Sequence, residues 1–201
     1  MALTTYAELK TALSTWTRRA DITTYADDLI TVAEGRIFKE VRSREMEAAL
    51  SVLMASGVAS VPADYVELKN AYIDGTPIKN LERKSPEWIL REYPLRSSSG
   101  KPGYIARDVD SFIFGCFPDS AYTVKGTYYK KLTAVSSSVN SLFTNQPDLY
   151  LSACLAEAFR FLRNDNMTEY WDNRYMGIRD SISTQYRAEK VSGGPLTMVV
   201  I

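Results

Sequence analysis

The sequence predicts an α+β protein: an α-helical bundle from the N- and C-terminal segments, a β-rich insertion between them, and an extended C-terminal arm. Three observations carry this. Apolar residues recur at helical spacing up to about residue 42 and again after Pro147. Between those segments they alternate with period two, as strands require. Past Glu189 a Gly-Gly-Pro break precedes an apolar tail. Helices and strands are segregated rather than alternating, which favours α+β over a doubly wound sheet. The expected division is 1–44 with 134–190 for the bundle, 45–133 for the insertion and 191–201 for the arm.

Thr5 and Glu8 form a capping box ahead of Leu9, Ala12, Leu13 and Trp16, which share one helical face. Arg18 to Asp21 link this helix to a second over about 23–42. Its expected apolar stripe is Leu29, Val32, Ala33, Ile37 and Val41, with Glu34, Lys39 and Glu40 facing away. Ala48, Leu50, Val52 and Met54 then fall on one side of a strand, Gly57 offers a turn, and 58–62 form a second strand. After a loop at Pro62 to Tyr65, the runs 68–73 and 77–81 flank Asp74-Gly75, a hairpin signal. Ser85 before Pro86 opens a short helix that Pro94 ends. Residues 97–103, rich in serine and glycine, read as a mobile loop. Strands are expected over 104–107, 111–114 and 122–132, with Asp108-Val109-Asp110 and 117–120 in the turns.

Residues 136–141 form a second polar linker, and Pro147 opens a helix on which Leu151, Leu155, Ala158, Phe159 and Leu162 align. Tyr150, Ala153, Cys154 and Phe161 leave it little polar face, so it is expected to be central and buried. Asn164 to Asn166 cap the last helix, with Glu169 completing a capping box, and Trp171, Tyr175, Ile178 and Ile182 form its stripe. Gly193, Gly194 and Pro195 break that helix, and Leu196, Thr197, Met198, Val199, Val200 and Ile201 follow. Chain ends are ordinarily polar and frayed unless docked. This one combines β propensity, apolar bulk and a hinge, the makeup of a docking arm.

Composition narrows the function. Apolar residues at 45% and charged residues at 24% match a folded globular chain rather than a disordered one. Lys+Arg and Asp+Glu number 24 each, so no net charge draws the chain to nucleic acid or an anionic membrane. No apolar run approaches a membrane span and the start lacks a secretory-signal layout, so folding in a cytoplasm is expected. Cys116 and Cys154 lie in apolar patterns and are expected as buried free thiols. The absence of histidine removes the usual neutral general base, the commonest transition-metal ligand and the Ser-His and Cys-His nucleophiles.

Each remaining candidate has a simpler structural reading. Asp108 and Asp110 are spaced as cation ligands but sit where a turn favours aspartate. Asn164-Asp165-Asn166 is placed as a cap, and Asp27-Asp28 on a solvated helix face. Tyr128-Tyr129-Lys130-Lys131 interleaves rings and charge as nucleic-acid contacts do, but a half-buried strand explains it; Arg18-Arg19 is a short exposed pair. No P-loop, dinucleotide fingerprint or G-x-S-x-G occurs, and no catalytic residue, metal or cofactor is expected. The competing class is a tail-associated cell-wall glycan hydrolase using two carboxylates, such as Glu157 with Asp108. Glu157 lies on the central helix, where a salt bridge is the expected role.

The order of elements resembles the adaptor, or head-to-tail connector, proteins of short-tailed bacteriophages. The resemblance runs over most of the chain. It is carried by Tyr6-Ala-Glu-Leu-Lys10, Tyr25-Ala-Asp-Asp-Leu29, Ala33-Glu-Gly-Arg-Ile37, Val61-Pro-Ala-Asp-Tyr65, Gly103-Tyr-Ile105, Tyr128-Tyr-Lys130 and Gly193-Gly-Pro-Leu-Thr-Met198. It implies a structural virion protein: a dodecameric ring beneath the portal protein of the DNA-filled head, with tail nozzle or fibre proteins on its other side. Genomic DNA would pass through the lumen without sequence-specific binding, and no membrane is involved. The implied location is the head-tail junction of the virion, after assembly in the host cytoplasm. The family's terminal segment commonly engages the portal, the role expected for the arm Gly193–Ile201. An extended apolar segment can add as a strand to a partner's sheet edge, and a ring presents many modest arms at once. Leu196, Met198 and Val200 are the expected pocket fillers, with Gly193 and Gly194 as hinge.

Overall fold

A computed structural model describes residues 3–94 and 99–191. The expected arm, Gly193–Ile201, lies outside the described residues, as do Ser97 and Ser98 of the serine-rich loop. In chain order the elements are α1 (Tyr6–Thr17), α2 (Ile22–Glu40), a 3-10 turn (Arg44–Met46), β1 (Glu47–Met54), β2 (Val58–Ser60), β3 (Tyr65–Ile73), β4 (Lys79–Asn80), β5 (Glu82–Arg83), α3 (Pro86–Glu92), β6 (Tyr104–Asp108), β7 (Ser111–Gly115), β8 (Tyr122–Lys130), α4 (Ser141–Asn145), α5 (Pro147–Phe161) and α6 (Asp165–Val191). The α+β class is as expected, with the terminal helices packing together and a β-rich centre. The chain divides into two units, residues 1–46 with 132–201 and residues 47–131.

In the helical unit, α1 starts at the expected capping box: the Glu8 N–H donates to Thr5 Oγ1 at 3.2 Å, and the Thr5 N–H to the Glu8 carboxylate at 2.9 Å. α5 is the central helix, with Leu149, Tyr150, Ala153, Cys154, Leu155, Ala156 and Ala158 buried. α1, α2, α4 and α6 all contact it, so burial runs around most of its circumference rather than along one stripe. Leu151 and Phe159, expected inside, are half-buried, and Phe161 is half-exposed.

α2 departs further from expectation. Its buried face is Ile22, Ala26, Ile30, Ala33, Glu34 and Ile37, so the stripe is rotated and Val32 is exposed. Glu34, expected to face away, is buried because its carboxylate accepts the Val135 N–H at 2.8 Å. The linker expected over 136–141 ends in a helix start instead. Asn140 Oδ1 accepts the Phe143 N–H at 2.8 Å, which caps α4 and buries Leu142 and Phe143. Asn164 caps α6 through the Met167 N–H at 3.2 Å. Asn166 therefore lies within α6, and the Asn166–Glu169 capping box does not form.

In the β-rich unit two four-stranded sheets, ordered β1-β8-β3-β4 and β2-β7-β6-β5, share one core. Leu50, Met54, Leu68, Ile73, Val124 and Tyr128 come from the first sheet, and Ala59, Ile105, Phe112 and Phe114 from the second. α3, capped by Ser85 Oγ as expected, covers the outer face of the second sheet through Ile89 on Ala106 and Ile113. Strand β7 is therefore buried on both faces. β1 and β2 meet at Ser56-Gly57, both at positive φ, with reciprocal Ala55–Val58 backbone bonds of 3.0 and 3.1 Å. That two-residue turn passes the chain from one sheet to the other. β8 pairs with β1 and β3 rather than extending the β6–β7 hairpin. The described part of the loop expected to be mobile is tied down: the Gly100 N–H donates to Phe117 O at 2.9 Å and the Gly103 N–H to Gly115 O at 3.1 Å.

Candidate assembly surface

α6 leads to the expected arm and ends at Val191. Near its end Arg44 pairs with Glu189 at 3.6 Å, and Ile182 is buried. A cleft of about 100 Å³ lies here between Ile182, Gln185, Tyr186 and Glu189 of α6 and Ser43, Arg44 and Glu45 around the 3-10 turn. The last buried residue described in α6 is Ile182, and beyond it Arg187, Ala188 and Glu189 are exposed, with Glu189 held by its surface pair with Arg44. Gly193–Ile201 themselves are outside the described residues.

The candidates for chemistry resolve into structure. Asp108 and Asp110 flank Val109, which has φ 50°, in the β6–β7 turn. Among the described residues no group of three or more Cys, Asp or Glu is placed to hold a metal ion. Glu157 forms the expected salt bridge, 2.6 Å from Arg160, with Arg36 at 4.0 Å. Cys154 is a buried free thiol whose pKa burial raises, so it is a poor nucleophile. Cys116, expected to be buried, is half-buried, because it follows β7 and lies against Gly100 O at 3.5 Å.

The aromatic-basic run is partly core. Tyr128 is buried and its hydroxyl donates to Asp64 at 2.8 Å; burial and then that bond push its pKa up to about 12. Asp27, expected to be simply solvated, accepts the Tyr6 hydroxyl and pairs with Lys10 at 2.9 Å, tying α1 to α2. Those two partners hold its carboxyl below the usual range. Arg19 pairs with Asp21 at 2.6 Å.

A charged network missed in the sequence joins three helices. Arg36 of α2 lies 2.5 Å from Asp172 of α6 and 3.2 Å from Glu40, with its guanidinium 4.4 Å from the centre of the Tyr175 ring. Asp172 also pairs with Arg160 of α5 at 2.9 Å, and Glu40 with Arg179 at 3.2 Å. Burial opposes the charge on Arg36, but Asp172 and Glu40 outweigh it and its pKa is raised. Glu34 from the interior and Arg36 from a half-buried position thus tie parts of the bundle together.

The second feature missed is on the surface. Where α1 turns into α2 and α5 into α6, large apolar side chains face solvent: Trp16 (52% exposed), Tyr25 (45%), Phe161 (50%), Met167 (44%) and Tyr170 (56%). Trp16 meets Trp171 edge-on at 5.4 Å, Trp171 meets Tyr170 at 5.2 Å, and Tyr25 lies 4.9 Å from Phe161. These contacts join the end of α1 to the start of α6, and the start of α2 to the end of α5. Trp16 and Phe161 read as core positions in the sequence. Both stand in the last turn of a helix, where each touches a ring of a neighbouring helix yet keeps about half of its surface open.

Residues 4–199 match the family model described as SU10 adaptor protein. A comparison with curated proteins gives no match.

Proposed function

The chain belongs to the SU10 adaptor protein family, and from that membership we propose that it forms a ring between portal and tail, with the arm Gly193–Ile201 docking on the portal protein. Membership makes it a phage adaptor, a structural protein that acts on other virion proteins. In the proposed ring, dodecameric like those the chain resembles, the opposite side receives tail nozzle or fibre proteins and genomic DNA passes through the lumen. Balanced charge supports passage without sequence-specific binding. The observation that carries the portal contact is the composition of the arm: Leu196, Met198, Val199, Val200 and Ile201 with only Thr197 between them, beyond a Gly-Gly-Pro hinge. Such a segment supplies backbone groups to a sheet edge and apolar side chains to pockets. Each arm binds modestly, and the ring multiplies the effect through effective concentration.

Removal of residues 191–201 tests this. Thermal unfolding of the truncated chain is expected to match the full chain, while binding to assembled portals is lost. Portal binding that survives the truncation would assign the contact elsewhere.

A further inference from the structure

We propose that the outer edge of β1, from Ala48 to Met54, pairs antiparallel with the same edge of a second copy, joining two four-stranded sheets into one. The inference goes beyond the ring reading and does not use it: a twofold contact closes on itself, whereas a ring repeats a head-to-tail one.

A sheet edge exposes a row of unpaired N–H and C=O groups, and soluble proteins blunt it with short strands, charges and bulges. Three of the four edges here are blunted in this way. β2 has three residues, and β4 and β5 have two each, Lys79-Asn80 and Glu82-Arg83. Where β3 runs past β4, its register with β8 shifts twice and Arg83 Nη1 donates to Leu68 O at 2.8 Å. β1 has none of these devices. It is eight residues long, pairs with β8 in unbroken register, contains no proline and carries no charge from Ala48 to Met54. Among the described residues, no group outside β8 bonds to the backbone of Ala48–Met54.

Unpaired main-chain groups at strand spacing call for another strand, and the side chains select β1 itself. Ala49, Ser51 and Leu53 are exposed on one face, while Leu50 and Met54 are buried on the other, where Ala48 and Val52 pack against the same core. Opposed residues of an antiparallel pair share a face, so a register centred on Ser51 keeps both faces intact. It sets Leu50 against Val52 and Ala48 against Met54 on the core side, and Ala49 against Leu53 outside, so each alanine meets a large residue. Glu47 then falls opposite Ala55 and is already paired with Lys69 at 2.7 Å, so no like charges meet. Main-chain hydrogen bonds, about one per residue, supply the affinity, and the contact does not depend on a large buried area. Each copy has this one open edge among its described residues, so pairing uses up both edges and stops at two copies.

In that register the two Ser51 residues face each other across the twofold, with Cα atoms about 4.5–5.5 Å apart, within disulfide range. The full-length chain is compared with Ser51→Cys, Leu53→Cys and Ser51→Lys variants, all at exposed positions. Sedimentation velocity over a concentration series reads self-association, non-reducing electrophoresis after mild oxidation reads crosslinking, and thermal unfolding reports on folding. Cys116 and Cys154 are common to all and set the background. The wild type is expected to form dimers as concentration rises. Ser51→Cys is expected to crosslink as a dimer well above Leu53→Cys, whose counterpart across the pair is Ala49. Ser51→Lys sets two introduced charges face to face and is expected to weaken dimers by roughly fivefold or more. Ser51→Cys is nearly isosteric and decides alone should Ser51→Lys fail to fold. Equal crosslinking at the two positions would overturn the inference, as would dimers that Ser51→Lys leaves unchanged or a wild type that stays monomeric. Crosslinking that disappears when residues 191–201 are removed would give the edge to the arm and also overturn it. Paired copies that fail to bind portals would count against the portal reading alone.

Discussion

Glu34 brings a carboxylate into the interior of the helical unit, where it is 4% exposed and accepts the Val135 N–H. Burial raises its pKa above the ordinary 4.5, with the Val135 bond only partly opposing. Its contribution to stability is therefore full below the unfolded value and is lost as pH rises through the raised folded value. Glu34→Gln keeps the accepting oxygen and removes the charge. The variant is expected to melt higher than wild type at about pH 8, with the gain vanishing toward about pH 4; a gain independent of pH would contradict the assignment. Gly126 of β8 makes a steric prediction. A Cβ there would stand 2.2 Å from Asn70 O and 2.9 Å from Ala71 Cα, backbone atoms beside the bulge of β3. Gly126→Val should cost at least about 1–3 kcal/mol in urea unfolding. Single residues were legible where their partners are local. Thr5 with Glu8 and Ser85 with Trp88 are three residues apart. Glu34 was misread because its partner is 101 residues away.

Among elements, α2, α5 and α6 are joined by the Arg36, Asp172, Glu40, Arg160 and Arg179 network as well as by apolar packing. Arg36→Ala leaves Asp172 without its closest cation and uncovers Tyr175. The expected cost is about 2–3 kcal/mol, below the ~3–5 kcal/mol of a fully buried pair because the network is partly solvated. Denaturant unfolding measures it, and a cost under about 0.5 kcal/mol would reduce the network to a surface ornament. The long helices were visible from their periodicity. Which face each buries was less so, because a stripe template assumes one covering partner. α5 has four, and α2 presents Val32 outward while burying a carboxylate. α4 was missed because five residues are too few to show a helical period, and its cap, Asn140, sits among serines that read as linker. The pairing of β8 with β1 and β3 was equally out of reach, since strand partners are chosen in three dimensions.

For the whole molecule, the α+β class and the family followed from features spread along the chain, which no single residue carries. The surface aromatics did not, because a tryptophan in an apolar stripe looks the same whether the stripe is covered or left open. In the proposed ring, the arm Gly193–Ile201 is the contact offered to the portal. If the proposed ring forms on the portal, assembly should be cooperative, since each added subunit would meet both a neighbour and a portal site. The most direct test is co-sedimentation of the full-length protein with assembled portals of the same virus, with subunits counted by native mass. Saturable binding at one ring per portal is the expected result; a protein that remains monomeric and unbound at saturating portal would contradict the account.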